Sequence, residues 1–323
     1  MTPAQREADQ ASVAFHLALT QVGAATIEDA LKIWADVPPT ATTQTAGRWL
    51  TQAVRLVMTR RGQARALAMA YYRLIRALRV GRTVADPWRP EPEYVTLQML
   101  RDEFGELAGP VQKPLEDTPS TGADSVLDED RIPVEEIDGN SAAEEERLER
   151  LAEREARIDL EALGPKNLEV KVSHIDTDAP AKEVDAARDE AHRSAGSRQA
   201  ATAARVAMDG GRGIVWNYSD RDRRVIGYVR LSRTGAPCGW CAMLISRGPV
   251  YKTNATARYG DGDKYHDNCH CYAEPVYSRE QWRTSTRYTL NRRYQALWPQ
   301  VTKGLSGQAA VSAWRRFIRQ EQT

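Results

Sequence analysis

The residues in this chain best suited to chemistry are four cysteines and a pair of histidines crowded toward its C-terminal end. Cys238-Gly239-Trp240-Cys241 is followed, about two dozen residues on, by His266-Asp267-Asn268-Cys269-His270-Cys271, so all four cysteines fall within thirty-four residues. Zinc takes thiolate and imidazole donors at tetrahedral corners. A C-x-x-C turn sets two sulfurs on one side of such an ion, and a second pair arriving on a loop closes the other. Pro237 before the turn and Gly239 inside it favour a tight knuckle. The expectation is a structural zinc held by ligands drawn from Cys238, Cys241, His266, Cys269 and Cys271. Two sets meet the need: the four cysteines, or Cys238 and Cys241 with His266 and one of Cys269 or Cys271, since His266 lies three residues before Cys269. His270, between two cysteines, is expected to face away. Four protein ligands leave no open position, which makes the metal structural rather than catalytic.

Other chemistries fit the same residues less well. A zinc deaminase needs an upstream H-x-E beside its P-C-x-x-C, and His16, His174 and His192 are followed two residues later by Ala18, Asp176 and Ser194. A redox C-x-x-C requires a strand-to-helix junction, whereas a hairpin is expected before Cys238. A thiol protease needs one activated cysteine beside a base, and paired cysteines point to metal instead. In HNH-type nucleases the catalytic histidine sits on a strand apart from the metal turn, a spacing His266 to Cys271 does not reproduce. Tyr259 to Asp263 is half of a calcium loop without its downstream bidentate Glu. Gly210-Gly211-Arg212-Gly213 lacks dinucleotide spacing, and there is no G-x-S-x-G, P-loop or H-E-x-x-H. No catalytic constellation is identified, so the chain is not expected to be an enzyme.

The elements that must position the cysteines read as mainly α, with a small α+β zinc-knuckle module near the C-terminus and an acidic disordered linker before it. The 323 residues carry a formal charge of only +1, with 41% hydrophobic and 28% charged residues, but the average hides three opposed blocks. Arg55 to Arg82 holds eight arginines and no acid; Glu116 to Glu161 holds seventeen acids against five arginines; Arg279 to Arg319 holds nine basic residues and one acid. The acidic tract is expected either to lie on the chain's own basic helices or to stay in solvent while the basic ends reach an anionic surface. Ala4 to Gly109 is helical in pattern, strongest over Thr43 to Val80 with a possible break at Gly62, and a further helix over Tyr94 to Leu107 follows the prolines at 87, 90 and 92. Ala142 to Leu163 interleaves Glu and Arg at helical spacing with only Leu148, Leu151, Ile158 and Leu160 to bury. Beyond it come a strand over Leu168 to Val172, a helix over Ala181 to Met208 stopped by Gly210-Gly211, a hairpin through Ile214, Trp216, Tyr218 and Val225 to Leu231, short strands over Pro249 to Thr253 and Tyr272 to Tyr277, and two basic helices. Domain boundaries are expected at 1–110, 111–165, 166–280 and 281–323. The first thirty residues show no secretory pattern and no run approaches a membrane span, so reduced thiols in a cytoplasm are expected.

Residues 180 to 280 resemble the C-terminal module of the phage minor head proteins related to protein F of phage Mu, in the version found in tailed phages of actinobacteria. Trp216, Asp220-Arg221-Asp222-Arg223-Arg224-Val225, Cys238 to Leu244, Ser246 to Tyr251 and His266 to Cys271 carry the resemblance. It implies a structural minor capsid protein, encoded near the portal gene and present in few copies in the head, acting in head assembly or genome packaging and delivery. The partners implied are the portal protein, the major capsid protein or both, with packaged DNA contacted non-specifically, no membrane and no small-molecule substrate. Some relatives are labelled capsid maturation proteases, which makes an assembly-processing enzyme the alternative function. More distant members lack the first C-x-x-C, so the ligand set rests on chemistry rather than on likeness.

Overall fold

The computed structural model describes residues 2–109, 127–139, 141–232, 234–250 and 265–322. It is mainly helical, with a small strand-containing region around the cysteines. Three long helices form the frame: α1 (Pro3–Trp34), α2 (Gly47–Val80) and α6 (Ala181–Arg221), each packed against the other two. Thr2 caps α1 with a reciprocal capping box through Gln5, and Pro3 supplies the fixed φ that suits a first helical position. Helix α2 runs through Gly62 without interruption and stops at Gly81, whose φ of 69° is the left-handed cap that glycine adopts without strain.

Helix α6 is the largest departure from the sequence expectation. It does not end at Gly210-Gly211; it continues to Arg221 and absorbs Ile214, Trp216 and Tyr218, which were expected in a strand. The glycines are there for close approach. A Cβ at Gly210 would stand 2.6 Å from the Arg61 carbonyl oxygen, and one at Gly211 2.7 Å from that of Ala64, so α2 backbone fills the space where side chains would be. Tertiary packing of this kind outweighs the roughly 1 kcal/mol that a glycine costs inside a helix.

Helix α3 (Leu97–Ala108) lies on α1 and α2. The first residues of its expected span instead form strand β2 (Tyr94–Val95), in a three-stranded sheet of order β1 (Thr83–Val84), β3 (Ile132–Glu135), β2. Strand β3 falls inside the tract expected to be a linker, where Ile132 alternates into the core; residues 111–126 of that tract lie outside the described residues. Helix α4 (Ala142–Leu163) has the expected bounds but a different buried face. It seats Glu145, Ala152, Ala156 and Leu160 against α2 and α6, while Ile158 is 66% exposed. Leu168 to Val172, expected as a strand, belongs to α5 (Pro165–Ser173), started by Pro165 at its first position.

The described part of the acidic tract does lie on the chain's own basic helix. Arg61 and Arg65 of α2 meet Glu149 and Glu145 of α4 at 3.0 and 2.7 Å; Arg76 meets Glu135 of β3 at 2.6 Å and Asp222 at 2.7 Å; Arg82 also reaches Glu135. Arg60 pairs with Asp29, Arg73 with Glu91 and Arg79 with Asp9. Arg73 and Arg76 are 2% exposed, and charges so buried persist only when paired. The basic block of Arg55 to Arg82 is thus largely neutralised from within.

At the C-terminal end β4 (Gly227–Ser232) pairs antiparallel with β5 (Cys271–Val276), the strand expected over Tyr272 to Tyr277, and not with the segment before it. Between them lies α7 (Gly239–Ile245); after them come α8 (Arg279–Thr284), α9 (Thr289–Val301) and α10 (Gly307–Glu321), the last two being the basic helices expected. Of the strand expected over Pro249 to Thr253, residues 251–253 lie outside the described residues, as does the half calcium loop at 259–263; Pro249 and Val250 form a turn. One apolar core runs from Ala8 to Ile318, and a second gathers Trp34, Trp49, Leu160 and Ala195 at the far end of the long helices.

Candidate metal centre

Three pieces of chain deliver the cluster. Cys238 is the N-cap of α7, its sulfur accepting from the Cys241 amide at 3.4 Å, so the C-x-x-C turn is the opening turn of a helix. Cys241 sits one turn in, fully buried. His266 and Cys269 lie on a turn closed by the Cys269 amide donating to the His266 carbonyl at 3.1 Å, with Asn268 at φ 62° making the bend. Cys271 opens β5, opposite Ser232 of β4.

All five sequence candidates converge. Cys238, Cys241 and His266 form one mutually close set, and Cys241, Cys269 and Cys271 another; Cys241 belongs to both. The Cys241 and Cys269 sulfurs are 3.5 Å apart, near the edge of about 3.8 Å that two thiolates make on a tetrahedral zinc, and all four cysteines are free thiols. Soft donors at this spacing fit zinc, and four drawn from Cys238, Cys241, His266, Cys269 and Cys271 would hold it, the ion cross-linking α7 to the segment that opens β5. His266 Nε2 stands 3.1 Å from Cys238 Sγ while Nδ1 faces the Asp267 carbonyl at 2.7 Å, a contact that holds the ring with Nε2 turned to the sulfurs. Asp267 is itself pinned by Thr202 and Arg205 of α6, and Arg205 continues to Asp159 of α4.

The electrostatics are those of thiols sharing protons. Hydrogen bonds from Cys241 and His266 hold Cys238 down to about 4, and the same contact raises His266 to about 9. Cys269 is likewise lowered, first by hydrogen bonds with Cys241 and Cys271 and then by Arg212 and Arg230, whereas Cys241 is pushed up by hydrogen bonds to its three neighbouring sulfurs.

Two points correct the sequence reading. The segment before Cys238 is no hairpin: β4 leads through a short loop into α7, a strand-to-helix junction, so that ground for setting aside a redox pair fails. The sulfur of Cys269 beside Cys241 remains as the argument for metal. Sequence reasoning also missed Tyr265, Arg212 and Arg230. Tyr265 and the two arginines are buried around the thiols, and no spacing rule connects residues that far apart in the chain.

Helix α10 lies across α7. Gly239 leaves room for it, since a Cβ there would stand 2.7 Å from Arg315 Cγ, and Gln322 donates to the Pro237 carbonyl at 2.8 Å. Among the described residues no helix is long and apolar enough to cross a membrane.

Residues 140–297 match the family described as VG15 protein, a viral family, and the match supports a phage-encoded protein consistent with a virion role. The matched segment contains every residue that carries the resemblance to Mu F-like minor head proteins. No curated protein and no solved structure matches the chain.

Proposed function

We propose that the chain is a structural minor head protein of a tailed phage, sited at the portal vertex or the capsid interior and acting in head assembly or in genome packaging and delivery. The observation that carries the reading is the match of residues 140–297 to a viral family across the cysteine cluster. The site supports it: five soft donors facing one another, three of the cysteines buried, suit an ion that holds a fold rather than one that binds substrate. The portal protein and the major capsid protein are the proposed protein partners. Packaged DNA is the proposed polyanion, and the contrast between the two basic blocks indicates which end meets it. Six of the eight arginines of α2 are paired with carboxylates, whereas Arg315 and Arg316 of α10 are exposed.

Quantitative mass spectrometry of purified particles, before and after DNA ejection, tests the reading. The chain should be found at a few copies per particle; its absence from particles while abundant in infected cells would refute a structural role. One contact favours the second reading, an assembly-processing enzyme: the thiol–imidazole pair of Cys238 and His266. Incubation with capsid or scaffold protein separates the two, since cleavage abolished by Cys238→Ser in metal-free protein would favour the enzyme.

A further inference from the structure

Two guanidinium groups are buried beside the thiols. Arg212 of α6 is 2% exposed and Arg230 of β4 is 4% exposed, and each places its central carbon 4.1 Å from the centroid of the Tyr265 ring. An aromatic face accepts one guanidinium at that distance, so the ring is held between the two. Arg230 Nη1 donates to Cys241 Sγ at 3.6 Å. Arg212 Nη2 donates to the carbonyl of Cys269, and its Nη1 to Asp209 at 3.0 Å. The strand register explains the placement: Arg230 opposes Ala273 and Ser232 opposes Cys271, so Arg230 and Cys271 project from the same face of the β4–β5 ladder.

Two cations packed on one ring inside a protein are costly unless an anion lies close by. Asp209, partly exposed, pairs with Arg212 at 3.0 Å, and the Cys241 sulfur stands beside Arg230. A divalent ion bound by four thiolates carries two excess negative charges, and one bound by three thiolates and an imidazole carries one. Either centre is the anion this pair of cations suits.

We propose that Arg212 and Arg230, clasping Tyr265, are charge-balancing and positioning residues for a thiophilic divalent ion held by the cysteines, Arg230 acting through its N–H···S bond to Cys241 and Arg212 through the Cys269 carbonyl. The inference rests on the metal reading of the cluster and extends it by naming the groups that set how tightly the ion is held. Hydrogen bonds to a ligating sulfur draw off charge, which steadies the thiolate and lowers the repulsion among sulfurs.

The test uses the full chain and two probes, Zn2+ in competition with a chromophoric chelator and Co2+ read by its sulfur-to-cobalt charge-transfer band. Arg230→Met keeps the bulk and removes the charge; Arg230→Lys keeps the charge. Wild type should take up one equivalent. Arg230→Met should bind Zn2+ about 10- to 100-fold more weakly and shift the cobalt band, with far-ultraviolet circular dichroism unchanged, and Arg230→Lys should recover much of the loss. An Arg230→Met protein that binds within twofold of wild type, or a lysine variant as weak as the methionine one, would overturn the proposal and leave the stack as packing. Should Arg230→Met fail to fold, the pair Arg212→Met and Arg212→Lys decides by the same two criteria. Wild type that takes up neither metal would overturn the metal reading itself; wild type that binds while the variants match it would overturn this inference alone.

Discussion

The carboxyl of Glu274 makes the stability of this protein depend on pH in a direction opposite to that of most acids. It lies on β5 at 2% exposure and accepts hydrogen bonds from Ser12 of α1, at 3.0 Å, and from the Tyr71 hydroxyl of α2. Burial outweighs these bonds and the nearby charges of Arg287 and Arg79, raising the group from its ordinary 4.5 to about 7. The folded state therefore holds the proton more tightly than the unfolded one. Below about pH 4.5 both states are protonated and nothing is lost; from there to about pH 7 stability declines, and above it the full penalty stands. A shift of that size, at 1.36 kcal/mol per unit, is worth about 3 kcal/mol. Glu274→Gln keeps the acceptor oxygen and removes the charge. Urea unfolding of both proteins from pH 5 to 8 should show the variant gaining on wild type by up to about 3 kcal/mol as pH rises, a difference in which the titration of the thiols cancels. Parallel curves across that range would refute the reasoning, because they would mean the carboxyl is ionised in the fold throughout.

Gly211→Ala should destabilise the protein by about 1–3 kcal/mol in chemical denaturation, since its Cβ would press on the Ala64 carbonyl, whereas Gly213→Ala, with open space at the same position in α6, should be neutral or stabilising. Asp222→Asn strips one carboxylate from buried Arg76 and should cost about 3 kcal/mol or more, visible as a lowered urea midpoint. Cys241→Ser, removing the sulfur common to both ligand groups, should abolish zinc uptake measured by elemental analysis, while Cys238→Ser, at the exposed edge, should weaken it less.

What the sequence made legible was whatever obeys a short-range rule. The two cysteine pairs announced a common site because ligand spacing is local, and all five candidates meet in space. The bounds of α4 were readable because Ser141 caps it and its Glu and Arg recur at helical steps. The failures share one cause. Gly210 and Gly211 look like a stop signal until α2 backbone occupies the space a side chain would need, and that partner is nearly 150 positions away. Trp216 and Tyr218 alternate as a strand would, but α6 is covered on several sides, so its burial pattern carries no clear period. Ala152 and Ala156, not the larger Leu151 and Ile158, face α2 and α6, because a close helix contact admits small residues. Arg212 and Arg230 belong to no motif and become visible only when α6 and β4 converge on Tyr265.

Strand β5 presents a different world on each side. Cys271 turns toward the sulfur cluster, while its neighbours Tyr272 and Glu274 reach Ser12 on the first helix, and Glu274 also Tyr71 on the second. Only three positions separate the sulfur at one end of this ribbon from the carboxyl that bonds both of those helices. An ion held at the cysteines would therefore be anchored to a strand whose next residues grip segments more than 190 positions upstream.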